Sequence, residues 1–78
     1  MTWHYQLVKC KYESSDEPYY EIREVFLDEK GKIENMTLGA IDVGGETVKE
    51  VTTSLHQMLY DIQEYGVIDE DSVTVRFP

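Results

Sequence analysis

The sequence predicts a small α+β fold: an antiparallel sheet of three to four strands packed against one helix, in the order β-β-β-α-β. Three observations carry that expectation. Two N-terminal stretches are rich in aromatic and β-branched residues. A capping signature at Thr47 opens a run of apolar residues at three- and four-residue spacing. Polar or Gly-containing segments separate these stretches and supply the turns. The 78 residues make one domain, 1–78. A core that small depends on each large apolar side chain. Hydrophobic residues at 41% and aromatic residues at 12% keep the composition globular despite a formal net charge of -9.

Thr2 to Tyr12 reads as the first strand. Glu13-Ser14-Ser15-Asp16-Glu17-Pro18 has no apolar anchor and reads as a loop. Tyr19 to Asp28 is the second strand, and Asp28-Glu29-Lys30-Gly31-Lys32 a tight hairpin with Gly31 at the left-handed position. The third strand runs from Lys32 to about Thr37, and Leu38 to Gly45 is a connection that packs partly inward. Thr47-Val48-Lys49-Glu50 is a capping box. The stripe Val48, Val51, Leu55, Met58, Leu59 and Ile62 predicts a helix over Val48 to Tyr65 with Leu55 buried, ended by Gly66 in the left-handed conformation. Asp69-Glu70-Asp71 is an acidic turn, and Ser72 to Phe77 alternates as a closing strand.

Centring the first hairpin near Ser15 sets Lys9 opposite Glu21, a favourable cross-strand pair. Trp3, Tyr5, Leu7, Val25, Leu27 and Ile33 then share one face. Val8, Cys10, Tyr12, Tyr20, Ile22, Phe26 and Met36 share the other, mixed with His4, Gln6, Glu24 and Glu34. A slip of one residue would exchange the sets and leave both faces apolar. One helix covers one face, so the second is expected to meet a partner, a second copy of the chain included, with Val8, Tyr12, Tyr20, Ile22 and Phe26 as the self-association surface.

The 16 acidic against 7 basic side chains disfavour direct binding to nucleic acid or anionic lipid. They are compatible with a partner protein that presents a basic surface, a nucleic-acid-binding protein included. The same acidity also keeps a small protein in solution, and composition does not separate the two roles. The candidate partner-binding residues are Glu13, Asp16 and Glu17 in the first loop and Asp69, Glu70 and Asp71 after the helix. A second candidate is the weakly charged outer face of the helix, with Thr53, His56, Gln57 and Tyr60.

No catalytic residue, metal or cofactor is expected. His4 and His56 are the only histidines, and no HExxH, CxxC or nucleotide-binding Gly motif is present. Gly44-Gly45 precedes the helix but is flanked by Asp42 and Glu46, which disfavour phosphate. The lone Cys10 reads as a small buried hydrophobe and forbids an intrachain disulfide, which fits a reducing, cytoplasmic setting. The first residues alternate and do not form a signal-peptide core, and no stretch is long enough for a membrane span.

Several segments carry a resemblance. They are Trp3-His4-Tyr5 with Leu7-Val8, and Tyr20-Glu21-Ile22-Arg23-Glu24-Val25-Phe26 with Asp28 and Gly31-Lys32. Gly45-Glu46-Thr47-Val48, Met58-Leu59 and Val67-Ile68-Asp69-Glu70 complete the set. Together they resemble a family of small uncharacterised bacterial and phage proteins. The resemblance implies a shared fold and no activity, since these motifs are structural. The expectation is therefore a small acidic protein-binding module, an inhibitor or adaptor that blocks a basic partner surface and is not an enzyme. In size and acidity it is similar to phage-encoded antagonists of host defence such as anti-CRISPR proteins, and its acidity allows mimicry of nucleic acid, with carboxylates standing in for phosphates. The alternative is an oligomeric small-ligand or nucleotide-binding protein, a sponge, for which Lys and Arg are scarce.

Overall fold

A computed structural model describes residues 2–73. It contains β1 (Thr2–Lys11), β2 (Pro18–Leu27), β3 (Ile33–Met36), α1 (Val48–Tyr65) and β4 (Val67–Asp69), followed by a 3₁₀ turn, Glu70–Ser72. The sheet order is β3-β2-β1-β4. β1, β2 and β3 are antiparallel neighbours, and β4 joins the other edge of β1 in parallel. The fold is the expected α+β type, with a mixed sheet instead of a purely antiparallel one. A further strand that the sequence did not suggest, β4, begins directly after Gly66. Ser72 lies in the 3₁₀ turn, Val73 packs into the core, and the remainder of the anticipated strand, 74–77, is outside the described residues.

Local chemistry sets the boundaries. In the β2–β3 turn the Gly31 N–H donates to the Asp28 carbonyl, while Asp28 Oδ1 accepts from the N–H groups of Lys30 and Lys32. Gly31 has φ 82°, the left-handed region expected of it. At the start of α1 the Glu50 N–H donates to Thr47 Oγ1 at 3.1 Å and the Thr47 N–H to Glu50 Oε2 at 3.0 Å. That reciprocal box satisfies donors a helix start would otherwise leave open. Gly66 stops the helix at φ 74° and ψ -150°, positive as expected but outside the left-handed helical well. Its N–H still donates to the Ile62 carbonyl at 2.9 Å.

The first hairpin is one residue out of the expected register. Lys9 stands opposite Tyr20, and Glu21 opposite Val8. Both residue sets of β2 are apolar enough to occupy either face, so pattern alone did not choose. The slip assembles a core of Val8, Cys10, Val25, Met36 and Val73, with Tyr19, Leu27, Ile33 and Ile68 packed against it. Each such side chain contributes about 1.5–3 kcal/mol when fully buried. Trp3, Tyr5 and Leu7 share the opposite face with Tyr20, Ile22, Glu24 and Phe26.

The helix runs along β1. β4 pairs only with Leu7–Lys9, so the edge of β1 before Leu7 needs other partners. α1 supplies them. Asp61 Oδ2 accepts from the Tyr5 N–H at 3.0 Å, and Gln57 Nε2 holds Asp61 Oδ1 at 2.9 Å. The Tyr65 carbonyl accepts from Gln6 Nε2, and the Tyr65 ring stacks on His4 with centroids 3.6 Å apart. These bonds fix the rotation of the helix. Met58 and Asp61 are buried, and Val51, Ser54 and Ile62 half-buried. Leu55, expected in the core, is 50% exposed, Leu59 56% and Val48 84%. At ~100° per residue, the buried arc is turned roughly 60° from the centre of the apolar stripe.

Candidate functional site

The fold brings the two acidic segments to one end of the sheet. β1 ends at Lys11 and enters the loop that carries Glu13, Asp16 and Glu17, all exposed. β4 runs parallel to β1 and sets Asp69 beside Lys9, so the 69–71 turn emerges at that same end. A small cleft lined by Lys9, Cys10, Lys11, Asp69, Glu70 and Asp71 adjoins a second lined by Lys11, Tyr12, Glu13, Ser14, Ser15 and Asp16. Lys11 is common to both. The acidic end is thus interleaved with two lysines, which the sequence pattern did not suggest.

The three residues of the turn have different duties. Asp69 and Asp71 are exposed, and Asp69 Oδ1 accepts from the Asp71 N–H at 3.1 Å. Glu70 turns toward the sheet, where its carboxylate accepts from Arg23 Nη2 at 2.5 Å. Arg23 is only 2% exposed. Its Nε donates to Glu21 Oε2 at 2.7 Å, and Nη1 and Nη2 reach the Thr37 carbonyl and Cys10 Sγ at 3.3 and 3.5 Å. Burial alone would lower the Arg23 pKa. The bonds to Glu21 and then Glu70 override it, so the guanidinium stays above its ordinary value. Glu70 therefore clamps the turn onto the sheet and is less a docking residue than Asp69 and Asp71.

Cys10 lies under this clamp. Burial pushes its thiol up, with the Arg23 charge opposing, so it is held as the neutral thiol. This is the buried cysteine the sequence implied. Tyr5 is also raised, by burial and then by the charges of Glu24 and Asp61.

The remaining candidates scatter. Thr53, His56, Gln57 and Tyr60 are exposed on α1, although Gln57 is engaged by Asp61. The expected self-association set does not form one surface. Val8 is fully buried in the chain's own core, and Tyr12 packs its ring on Tyr19 with centroids 4.5 Å apart. Tyr20, Ile22 and Phe26 lie on the other face, as the register shift requires. Sequence reasoning missed Arg23 and Asp61. Arg23 had a signal, a lone arginine inside a strand with Glu21 and Glu24 beside it. Asp61 had a weaker one, a carboxylate four residues after Gln57 beside the apolar stripe.

Among the described residues no group of three or more His, Cys, Asp or Glu is placed to hold a metal ion, and no helix is long and apolar enough to cross a membrane. The larger clefts are open grooves on the Leu27–Glu34 turn, the α1 N-terminus and the first loop. What the molecule presents is an acidic α+β domain with one charged end and one half-uncovered amphipathic helix. Compared with protein-family models, curated proteins and solved structures, the chain matches none.

Proposed function

We propose that this chain is a protein-binding module, an inhibitor or adaptor that covers a basic surface of its partner. The observation that carries the reading is the gathering of Glu13, Asp16 and Glu17 with Asp69 and Asp71 at one end of the sheet, from segments far apart in sequence. Exposed carboxylates on two short segments present negative charge at several points, as a phosphate backbone does. A nucleic-acid-binding surface is the complementary partner, and the module acts by occupying it. Such a role is similar in kind to that of phage-encoded anti-defence proteins. No specific observation favours the small-ligand alternative.

Charge of this kind steers association and is screened by salt. The test is the double reversal Asp69→Lys with Asp71→Lys, leaving Glu70 to hold Arg23. Capture from lysate, followed by on-rate measurement on the captured protein, should show association slowed by about tenfold or more. Rising salt should weaken binding, and nucleic acid should compete. Capture indifferent to salt, to the reversals and to added nucleic acid would make the acidity a solubility device and end this reading.

A further inference from the structure

The outer stripe of α1 points to a second copy of this chain. We infer that the protein forms a two-fold symmetric dimer through antiparallel pairing of α1, with the axis passing at Leu55. The stripe is its own complement. Val48 and Val51 stand seven and four residues before Leu55, and Ile62 and Leu59 stand seven and four after it. Two such helices laid antiparallel set Leu55 against Leu55, Val51 against Leu59 and Val48 against Ile62, apolar on apolar throughout. A two-fold interface requires this self-matching, and a foreign partner does not.

Exposure agrees with the pattern. Val48, Leu55 and Leu59 are at least half exposed, while Val51 and Ile62 are half-buried and keep part of their surface in solvent. The helix does not turn this stripe inward because Asp61 is held on the edge of β1 by the Tyr5 N–H.

Charge agrees as well. Two copies at -9 repel each other, so they can meet only where carboxylates are absent. Successive residues advance by ~100° around the axis, which puts Thr52, His56 and Gln63 on the solvent flank of the stripe. The carboxylates of Glu50, Asp61 and Glu64 fall on the other side of the helix. A two-fold axis brings like flanks together, so the flank of Thr52, His56 and Gln63 meets its own copy and sets no carboxylate against another.

The inference stands apart from the acidic-end reading and has the opposite salt dependence. Screening relieves repulsion between like-charged copies, so the dimer should tighten as salt rises. Sedimentation of the full chain at high micromolar concentration should show it. Leu55→Glu sets two carboxylates together on the axis and should weaken association by about a hundredfold. Because Leu55 is half exposed, the variant should keep its helical circular dichroism. Thr53→Glu, off the stripe, should leave association unchanged. In a Cys10→Ala background, Leu55→Cys should form a disulfide-linked dimer on mild oxidation, while Thr53→Cys should not. Val48→Cys mixed with Ile62→Cys should cross-link where neither alone does. A monomer at all concentrations overturns the inference. So does a dimer that survives Leu55→Glu, or one whose Leu55→Cys variant fails to cross-link.

Discussion

Removing the Arg23 guanidinium tests the clamp between the sheet and the turn after β4. Arg23→Ala deletes a side chain that is 2% exposed and takes from Glu21 and Glu70 the guanidinium they share. Breaking a buried ion pair by removing one partner costs about 3–5 kcal/mol. The Glu70 side chain is 34% exposed, so water recovers part of its loss and the low end applies. A chain of 78 residues has about 4–12 kcal/mol to lose. A loss near 3 kcal/mol should therefore lower Tm by roughly 12–24 °C. Chemical denaturation with circular dichroism gives the equilibrium value. The reasoning makes a second demand. Glu70→Gln keeps an acceptor for Arg23 and should cost only about 1 kcal/mol, and the two changes should be non-additive. With the clamp open the turn should lift from the sheet, so Cys10 should react with a thiol reagent in the folded state of Arg23→Ala and not in the parent. An Arg23→Ala cost under about 1 kcal/mol, or strict additivity with Glu70→Gln, would refute the clamp.

Other outcomes follow from the same contacts. Thr47→Ala removes the hydroxyl that accepts the Glu50 N–H and should cost about 1 kcal/mol in a urea melt. Leu55→Ala should cost about 1 kcal/mol in the monomer, well under the ~2–5 kcal/mol of a fully buried leucine, because half of the side chain is already in water. A larger monomer cost would mean that Leu55 is in the core. Alkaline pH should destabilise the fold through Cys10 and Tyr5, whose pKa values are raised. Above about pH 8.5 the unfolded thiol begins to ionise while the folded one stays protonated, so the folded state holds more protons and stability falls as pH rises. Cys10→Ala should flatten the first part of that decline in pH-dependent denaturation, and an unchanged slope would remove the thiol from the account.

Local signals were legible in the sequence, and relative placements were not. The capping box and Gly66 delimit α1 at Val48–Tyr65, since each acts within a turn of the residue it caps. Asp28 and Gly31 likewise specify their turn within five residues. The register of the first hairpin depends on which set of β2 faces inward. Arg23 with Val25 and Leu27 competes there with Ile22 and Phe26, and neither set is clearly polar. The core took the set containing Arg23, which a hydrophobicity pattern disfavours. That choice is tenable only because Glu21, two residues back on β2, and Glu70, from the turn after β4, neutralise it. No local reading of the chain brings Glu70 to Arg23.

The same logic explains the helix. An apolar stripe ordinarily turns toward the sheet, and the sequence gives no local reason for it to do otherwise. The reason is a backbone donor. β4 is three residues long and leaves the Tyr5 N–H uncovered. An unsatisfied buried donor costs about 1–3 kcal/mol. Asp61 meets that donor, Gln57 orients Asp61, and the stacking of Tyr65 on His4 locks the last turn. Half-exposure of Leu55 and Leu59 and the still greater exposure of Val48 are the consequence on the far flank. A longer β4 would compete with Asp61 for the edge of β1 and free the helix to roll its stripe inward. The short edge strand and the outward stripe are thus one feature, and Asp61→Asn tests the link. It keeps an acceptor for Tyr5 but removes the charge, so the helix should hold its rotation. Asp61→Leu should let the helix roll, burying Leu55 and weakening self-association, as the accessibility of a spin label at position 59 would report. If position 59 stays equally accessible in both variants, something other than the Tyr5 donor sets the rotation.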